Sequence, residues 1–272
     1  MWWYSLGRNK KTISVDLKHR DGQAIVKDLA STADVLIENF KPGRMESWNL
    51  GPKDLPSDLI YTRISGFGQS GPKSGLPGFA SVCEAMGGFR HVNGAVNGPS
   101  IRPNLSLGDT LAGLHATIGI LLALLGKERK TCSGQVVDVA IYESVFNMME
   151  STLTEFTESG TVREASGSTI TGIVPSNTYP CKDGKDVVIG ATTDSLFQRL
   201  MTFCGRSDLA QNPEMASNSQ RVLHQKEIDA AIGIWTRNLT AQEAVDQLET
   251  AGIPVGKIYS IEDIRYVHIM TI

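Results

Sequence analysis

The sequence predicts an α/β protein followed by a smaller α+β segment, and three observations carry that prediction. Short apolar strands alternate with helical segments through the first 65 residues, which is the layer pattern of an α/β fold. A long stretch from Thr110 to Gly126 then repeats apolar residues at spacings of three and four. Past a Gly-, Ser- and Thr-rich tract near 158–176 the texture changes to a hairpin and several helices.

Bulk properties narrow the class. The 272 residues suffice for one large domain or two modest ones. A hydrophobic share of 41% and a charged share of 20% describe an ordinary globular chain. The net charge of -3 offers no footprint for nucleic acid, so no nucleic-acid partner is expected. Ala116 to Leu125, the longest apolar run, is about half of the ~20 residues a membrane span needs, so no membrane partner is expected. Cys83, Cys132, Cys181 and Cys204 are scattered, with no Cys-x-x-Cys. They suit a reducing compartment and argue against disulfides and zinc. No secretory leader is visible at Met1, and the expected location is intracellular and cytoplasmic, with the mitochondrial matrix as the alternative. His19, His91, His115, His224 and His268 have no metal spacing, and no metal is expected.

Taken in order, Thr12 to Leu17 alternates apolar and polar residues, as a strand does. A helix is predicted over Gln23 to Thr32, with Ile25, Val26 and Leu29 on its apolar face. Asp34 to Glu38 reads as a buried parallel strand. The turn Asn39-Phe40-Lys41-Pro42-Gly43 leads to a helical segment near Arg44 to Leu50, and Leu59 to Ser65 forms another strand. Gly66 to Gly71 matches G-x-G-x-x-G, but Pro72, Gly75 and Pro77 make the next residues a loop. A dinucleotide fingerprint needs a helix there, so the match is a decoy. A short helix over 79–89 ends at Gly87-Gly88. A strand over Gly134 to Ile141 and a helix from Glu143 to Met149 complete the first part.

The second part opens with Ser176 to Tyr179 and Asp186 to Gly190, which flank the turn Lys182-Asp183-Gly184-Lys185 as a hairpin. Helices are predicted near 194–204, 219–236 and 240–250, with a capping box at Thr240 and Glu243. Ile258-Tyr259 reads as a last strand.

The chain is organised around Leu105-Ser106-Leu107-Gly108-Asp109-Thr110 and the apolar run behind it. Leu111, Leu114, Ile118, Leu121, Leu122 and Leu125 mark a helix face expected to be buried, and small residues such as Ala112, Ala116, Gly119 and Ala123 permit close backbone approach. Asp109, one residue before this helix, has two readings. It is an N-cap that accepts the first helical N–H groups, or a carboxylate held at a helix N-terminus as a nucleophile.

Five segments in order resolve the choice: Arg8 to Lys18, Val35 to Gly43, Ile60 to Pro72, Gly108 to Gly113, and Thr131 to Asp138. Together they resemble the CaiB/BaiF family, the family III CoA-transferases, over about residues 2–264. The resemblance implies a Rossmann-like CoA-binding large domain, over 1–157 and without a first strand–helix–strand unit that family members carry. It also implies a linker over 158–175, a small α+β domain over 176–272, and an interlocked homodimer. Asp109 falls on the family's nucleophilic aspartate. Coenzyme A, as acyl-CoA, and a small carboxylic acid are then the substrates. Position matching assigns CoA contacts to Val15, Asp16, Leu17 and Lys18 and to Asn39, Phe40 and Lys41. Arg8, Lys10, Lys11 and Lys18 would meet its phosphates, although a solvated lysine explains any one of them equally well. Gly190 to Thr193 would close over the acyl end, or be a plain strand-to-helix loop. The reaction expected is CoA transfer between an acyl-CoA and a free acid. The alternatives are 2-methylacyl-CoA racemisation and an inactive binding subunit. Racemisation needs an imidazole where Gly78-Phe79-Ala80 has none.

Overall fold

The computed structural model describes residues 1–266. The chain divides into two compact units: Met1–Asn93 with Ser100–Val162, and Gly94–Pro99 with the chain from Arg163 onward.

In the first unit, helices α1 (Trp2–Leu6) and α2 (Arg20–Ala30) precede strand β1 (Val35–Glu38). Helix α3 (Arg44–Ser47), strand β2 (Ile60–Ser65), helices α4 (Ala80–Met86), α5 (Phe89–Val92) and α6 (Leu107–Glu128) follow. Strand β3 (Val136–Ala140) and helices α7 (Ile141–Phe146) and α8 (Thr152–Ser159) complete it. The three strands form a parallel sheet in the order β1-β2-β3, with Val35 opposite Ile60 and Tyr61 opposite Val136. Parallel strands need crossovers, and helices supply them. One small core gathers Ala30, Met45, Leu50, Leu55, Leu59 and Tyr61. Another gathers Phe67, Cys83, Ala112, Ala116, Val139 and Ile141. The unit is an α/β fold on a parallel sheet, as its alternating pattern predicts.

Helix α6 departs from its periodicity. Leu111 is buried, but Leu114, Ile118, Leu121, Leu122 and Leu125 are each more than 40% exposed. The packed face is made of Gly108, Leu111, Ala112, Ala116 and Ala123 instead. Gly119 shows why: a Cβ there would lie 2.7 Å from Val137 Cγ1. Small residues let the helix backbone settle on the sheet, and that closeness turns the larger stripe outward. Among the described residues, α6 is also the one helix long and apolar enough to cross a membrane by length and composition.

Other departures are local. Thr12 to Leu17 forms no strand, because alternation without a ladder neighbour gains no hydrogen bonds. Ile13 is exposed there, while Leu17 packs on the first small core. Helix α2 begins three residues early, at Arg20, where His19 Nδ1 accepts the Asp21 N–H at 3.3 Å. The segment after Gly43 is a single turn, since Leu50 leaves the helix to enter the core.

In the second unit, β4 (Ser176–Pro180), β5 (Asp186–Gly190) and β6 (Val255–Lys257) form an antiparallel sheet in that order. Helices α9 (Asp194–Phe203), α10 (Ser207–Ala210), α11 (Asn218–Leu223), α12 (Gln225–Thr236), α13 (Ala241–Thr250) and α14 (Ile261–Tyr266) accompany it. The hairpin and the capping box at Thr240 form as predicted. The predicted helix over 219–236 breaks at His224, and the last strand falls before Ile258 because Val255 pairs with Ile189. One core built from Val187, Ile189, Phe197, Leu200, Ile228, Ile232 and Leu248 holds the unit together. His268, among the histidines weighed above, lies outside the described residues.

Candidate active site

A cleft of about 320 Å3 opens in the first unit where its three strands end. Asn39, Phe40 and Lys41 follow β1, Ser65 and Gly66 close β2, and Ile141 follows β3. Open parallel sheets bind ligands at this edge, outside the carboxyl ends of the strands. Asp109 lines the same cleft.

The loop after β1 is held by buried charge. Glu38 is 5% exposed, and its Oε2 accepts the Phe40 N–H at 2.7 Å. Its Oε1 accepts Arg63 Nε at 2.7 Å, while Arg63 Nη1 and Nη2 donate to Glu46 at 2.6 and 3.1 Å. Arg63 thereby holds the Glu46 carboxyl below its ordinary range. Phe40 meets Trp48 edge-on, with ring centres 5.1 Å apart, and the Arg44 guanidinium lies 5.6 Å from the Trp48 ring. The aromatic at 40 is therefore pinned by both its backbone and its ring.

Gly66, first residue of the rejected glycine motif, serves packing. A Cβ there would lie 2.8 Å from Gly78 Cα, so two backbones touch at the cleft wall. No helix follows Gly71, in line with the decoy reading.

Asp109 lies inside the helix. Ser106 is the N-cap residue, and Asp109 is the third residue of α6. The N-cap reading of Asp109 is thus overturned. Helix geometry extends one turn further toward the N-terminus than the apolar repeat indicates, because Gly108 packs against Ala80 and Ile141. Among the described residues no donor bonds the Asp109 carboxylate, which is exposed to the cleft. Partial desolvation raises its pKa, the charge of Glu84 adds to the rise, and Arg102 opposes it. The helix N-terminus favours the anion.

The other sequence-predicted contacts divide. Asn39, Phe40 and Lys41 share the cleft with Asp109. Val15, Asp16, Leu17, Lys18, Arg8 and Lys11 are not among its lining residues. Asp16 Oδ1 accepts the Lys18 N–H at 2.9 Å and closes a turn, and Arg8 Nε donates to Ser5 O at 3.1 Å. Lys11 and Lys18 are exposed. In the second unit, Gly190 to Thr193 is an ordered connection. Thr192 O accepts from Arg221 Nη2 at 3.0 Å, and Thr193 caps α9 through the Leu196 N–H. His115 is packed, with Nδ1 2.8 Å from Leu111 O and Nε2 3.0 Å from Asn147 Nδ2.

Sequence reasoning missed Phe79, which lines the cleft, and Glu84, which is wholly buried. A lone acid inside the apolar run Val82-Cys83-Glu84-Ala85-Met86 was the available signal for the second.

The first unit is thus an α/β fold with a cleft at the carboxyl ends of its parallel strands and an exposed carboxylate in the first turn of a helix. The chain belongs to CoA-transferase family III, which it matches over residues 1–269. It is 42% identical to a succinyl-CoA–D-citramalate CoA-transferase of Chloroflexus aurantiacus, over 97% of this chain and 66% of that protein. The crystal structure of Rv3272 from M. tuberculosis superposes with a TM-score of 0.84 at 28% identity, covering 97% of this chain and 71% of that one. A CaiB/BaiF family protein from Brucella suis gives 0.80 at 28% identity, over 94% and 68%. The chain spans 62–67% of the length of the curated relatives it matches first.

Proposed function

We propose that this chain transfers coenzyme A between an acyl-CoA thioester and a free carboxylic acid, with Asp109 as the nucleophile. The observation that carries the reading is the Asp109 carboxylate, free of hydrogen bonds from the described residues, in the cleft where the three parallel strands end.

A free aspartate has a pKa of about 3.9 and is ionised at neutral pH without a partner base. Its oxygen attacks the thioester carbonyl, the C–S bond breaks, and CoA leaves as the thiolate. The thiolate attacks the aspartyl carbonyl of the resulting anhydride, and the donor acid departs as its carboxylate. An enzyme-bound aspartyl-CoA thioester remains. The incoming acid repeats both steps in reverse, and Asp109 is regenerated. Covalent catalysis splits one hard exchange into easier ones. Lys41 beside Phe40 offers a cation at the cleft edge for the ligand's negative charge.

The names of the relatives support succinyl-CoA as donor and a small dicarboxylate, such as citramalate, malate or glutarate, as acceptor. Racemisation gains no support, because Phe79 occupies the cleft wall where an imidazole would be required.

Incubation with succinyl-CoA and then hydroxylamine, which converts an activated aspartyl carbonyl to its hydroxamate and releases the bound group, tests the chemistry by peptide mass spectrometry. We expect an Asp109-linked adduct that Asp109→Ala abolishes. An adduct undiminished in Asp109→Ala rejects the nucleophile, and no adduct from any acyl-CoA in the folded chain rejects the activity.

A further inference from the structure

A second acid bonds the residue beside Asp109 and has no place in the reaction above. Glu84, on α4, has a side chain that is 0% exposed. Its two oxygens have separate partners. Oε1 accepts the Gly108 N–H at 3.3 Å, one residue before Asp109. Oε2 lies 3.3 Å from Arg90 Nη2, which also donates to Ser81 Oγ at 2.7 Å.

The Gly108 N–H belongs to the first turn of α6, where helix geometry provides no internal acceptor. Side-chain contact reinforces the grip: a Cβ on Gly108 would lie 3.2 Å from Ala80 Cβ and 3.3 Å from Ile141 Cγ2. Helix α4 therefore clamps the start of α6 at the residue beside the carboxylate, with Ala80 and Glu84 one turn apart on one face. A neutral acceptor would satisfy the same N–H. Burying a charge there is costly even when it is paired. The choice of an anion calls for a role beyond capping.

That role lies in the charges around Asp109. Glu84 from α4 and Arg102 from the loop before α6 are the ionic groups that shift it, with opposite signs. The Cys83 thiol, on α4 as well, is pushed up to about 11, chiefly by burial and then by the charge of Asp109, so it stays neutral near pH 7.

We propose that Glu84 is a positioning residue for Asp109: it fixes the first turn of α6 through the Gly108 N–H and sets a second negative charge near the nucleophile, which keeps the Asp109 carboxylate turned to the cleft and free of hydrogen bonds from the described residues. This deepens the proposed transferase reading and rests on it.

The test uses the full chain as wild type, Glu84→Gln and Glu84→Ala, with two readouts. The first is the titration of the Asp109 side-chain carbon by 13C NMR, assigned by its loss in Asp109→Asn. The second is the rate of acyl-enzyme formation with succinyl-CoA against pH. Glu84→Gln keeps an acceptor for Gly108 and removes the charge, so the Asp109 titration and the acid limb of the rate profile both move to lower pH. Glu84→Ala removes the acceptor as well, and acyl-enzyme forms about tenfold more slowly at the pH plateau, a barrier rise of about 1.4 kcal/mol. Glu84→Gln restores a large part of that rate. An Asp109 titration unmoved in Glu84→Gln overturns the proposal, and so does a Glu84→Ala chain that reacts at the wild-type rate. If the titration moves while the wild type forms no acyl-enzyme, the positioning role stands and the nucleophile reading fails. If Glu84→Ala does not fold, the near-isosteric Glu84→Gln titration decides alone.

Discussion

Asp109 shows how a side chain takes its electrostatics from its surroundings. Its carboxyl is raised above the ordinary 3.8, chiefly by desolvation and then by Glu84. The folded state therefore binds the Asp109 proton more tightly than the unfolded chain does. Between the two pKa values stability falls as pH rises, and above the folded value the loss is constant. Asp109→Asn should accordingly stabilise the chain at pH 7, by at most a few tenths of a kcal/mol because solvent screens an exposed group. The gain should vanish below pH 3.8. Thermal unfolding of both chains from pH 3 to 8 checks this, and a variant less stable at pH 7 would show that Asp109 is structural. This residue became a candidate through five segments between Arg8 and Asp138, of which Gly108-Asp109-Thr110 is one part. Its position in the helix was not legible, because an apolar repeat marks a face and says little about the first turn, where Gly108 and Ala80 meet. Glu84 escaped notice for a related reason. A buried acid is recognisable only by its partners, and Gly108 lies 24 residues away.

At the scale of the element, α6 carries the sharpest difference between pattern and packing. Periodicity marks Ile118 as core, and a large-to-small change in a core costs about 2–5 kcal/mol. The structure leaves Ile118 56% exposed. Ile118→Ser should therefore shift the denaturation free energy of the chain by about 0.5 kcal/mol or less, as surface substitutions do. Gly119→Val should cost about 1–3 kcal/mol or more, because its side chain drives into Val137 at a contact of 2.7 Å. Urea denaturation of the two variants settles the orientation of the helix. The reverse ranking would return the large apolar stripe to the core. In β1, the parallel strand was legible as Val35-Leu36-Ile37, but its burial was not, since Ile37 is 59% exposed and Glu38 is the buried residue. The alternation of Thr12 to Leu17 looked equally persuasive, yet no neighbouring strand pairs with it.

At the scale of the molecule, two units with separate cores predict two independent responses. The described chain between α8 and β4 contains no helix or strand, and it places Gly160, Gly167 and Gly172 at positive φ. Limited thermolysin digestion should cut there first, since exposed backbone outside regular structure fits a protease site. The fragment beginning near Val174 keeps the whole of its apolar core, including the wholly buried Arg221. Arg221 binds Val174 O at 3.0 Å and Asp194 Oδ1 at 2.8 Å inside that fragment. It should unfold cooperatively by circular dichroism after isolation. A fragment without a thermal transition would show that its core needs the rest of the chain.

The sequence by itself determined the α/β order of elements, the capping box at Thr240, the rejection of the glycine motif and the aspartate proposed as nucleophile. The first three follow from neighbours within a few residues, through hydrophobic period, turn chemistry or a short motif, and the aspartate follows from a resemblance carried by five segments between Arg8 and Asp138. Tertiary structure alone decided which face of α6 meets the sheet, that Asn39, Phe40 and Lys41 share a cleft with Asp109, and that Glu84 accepts the N–H of the residue beside it. Those outcomes depend on backbone approach distances and on charges brought together from distant positions, quantities a linear pattern does not contain.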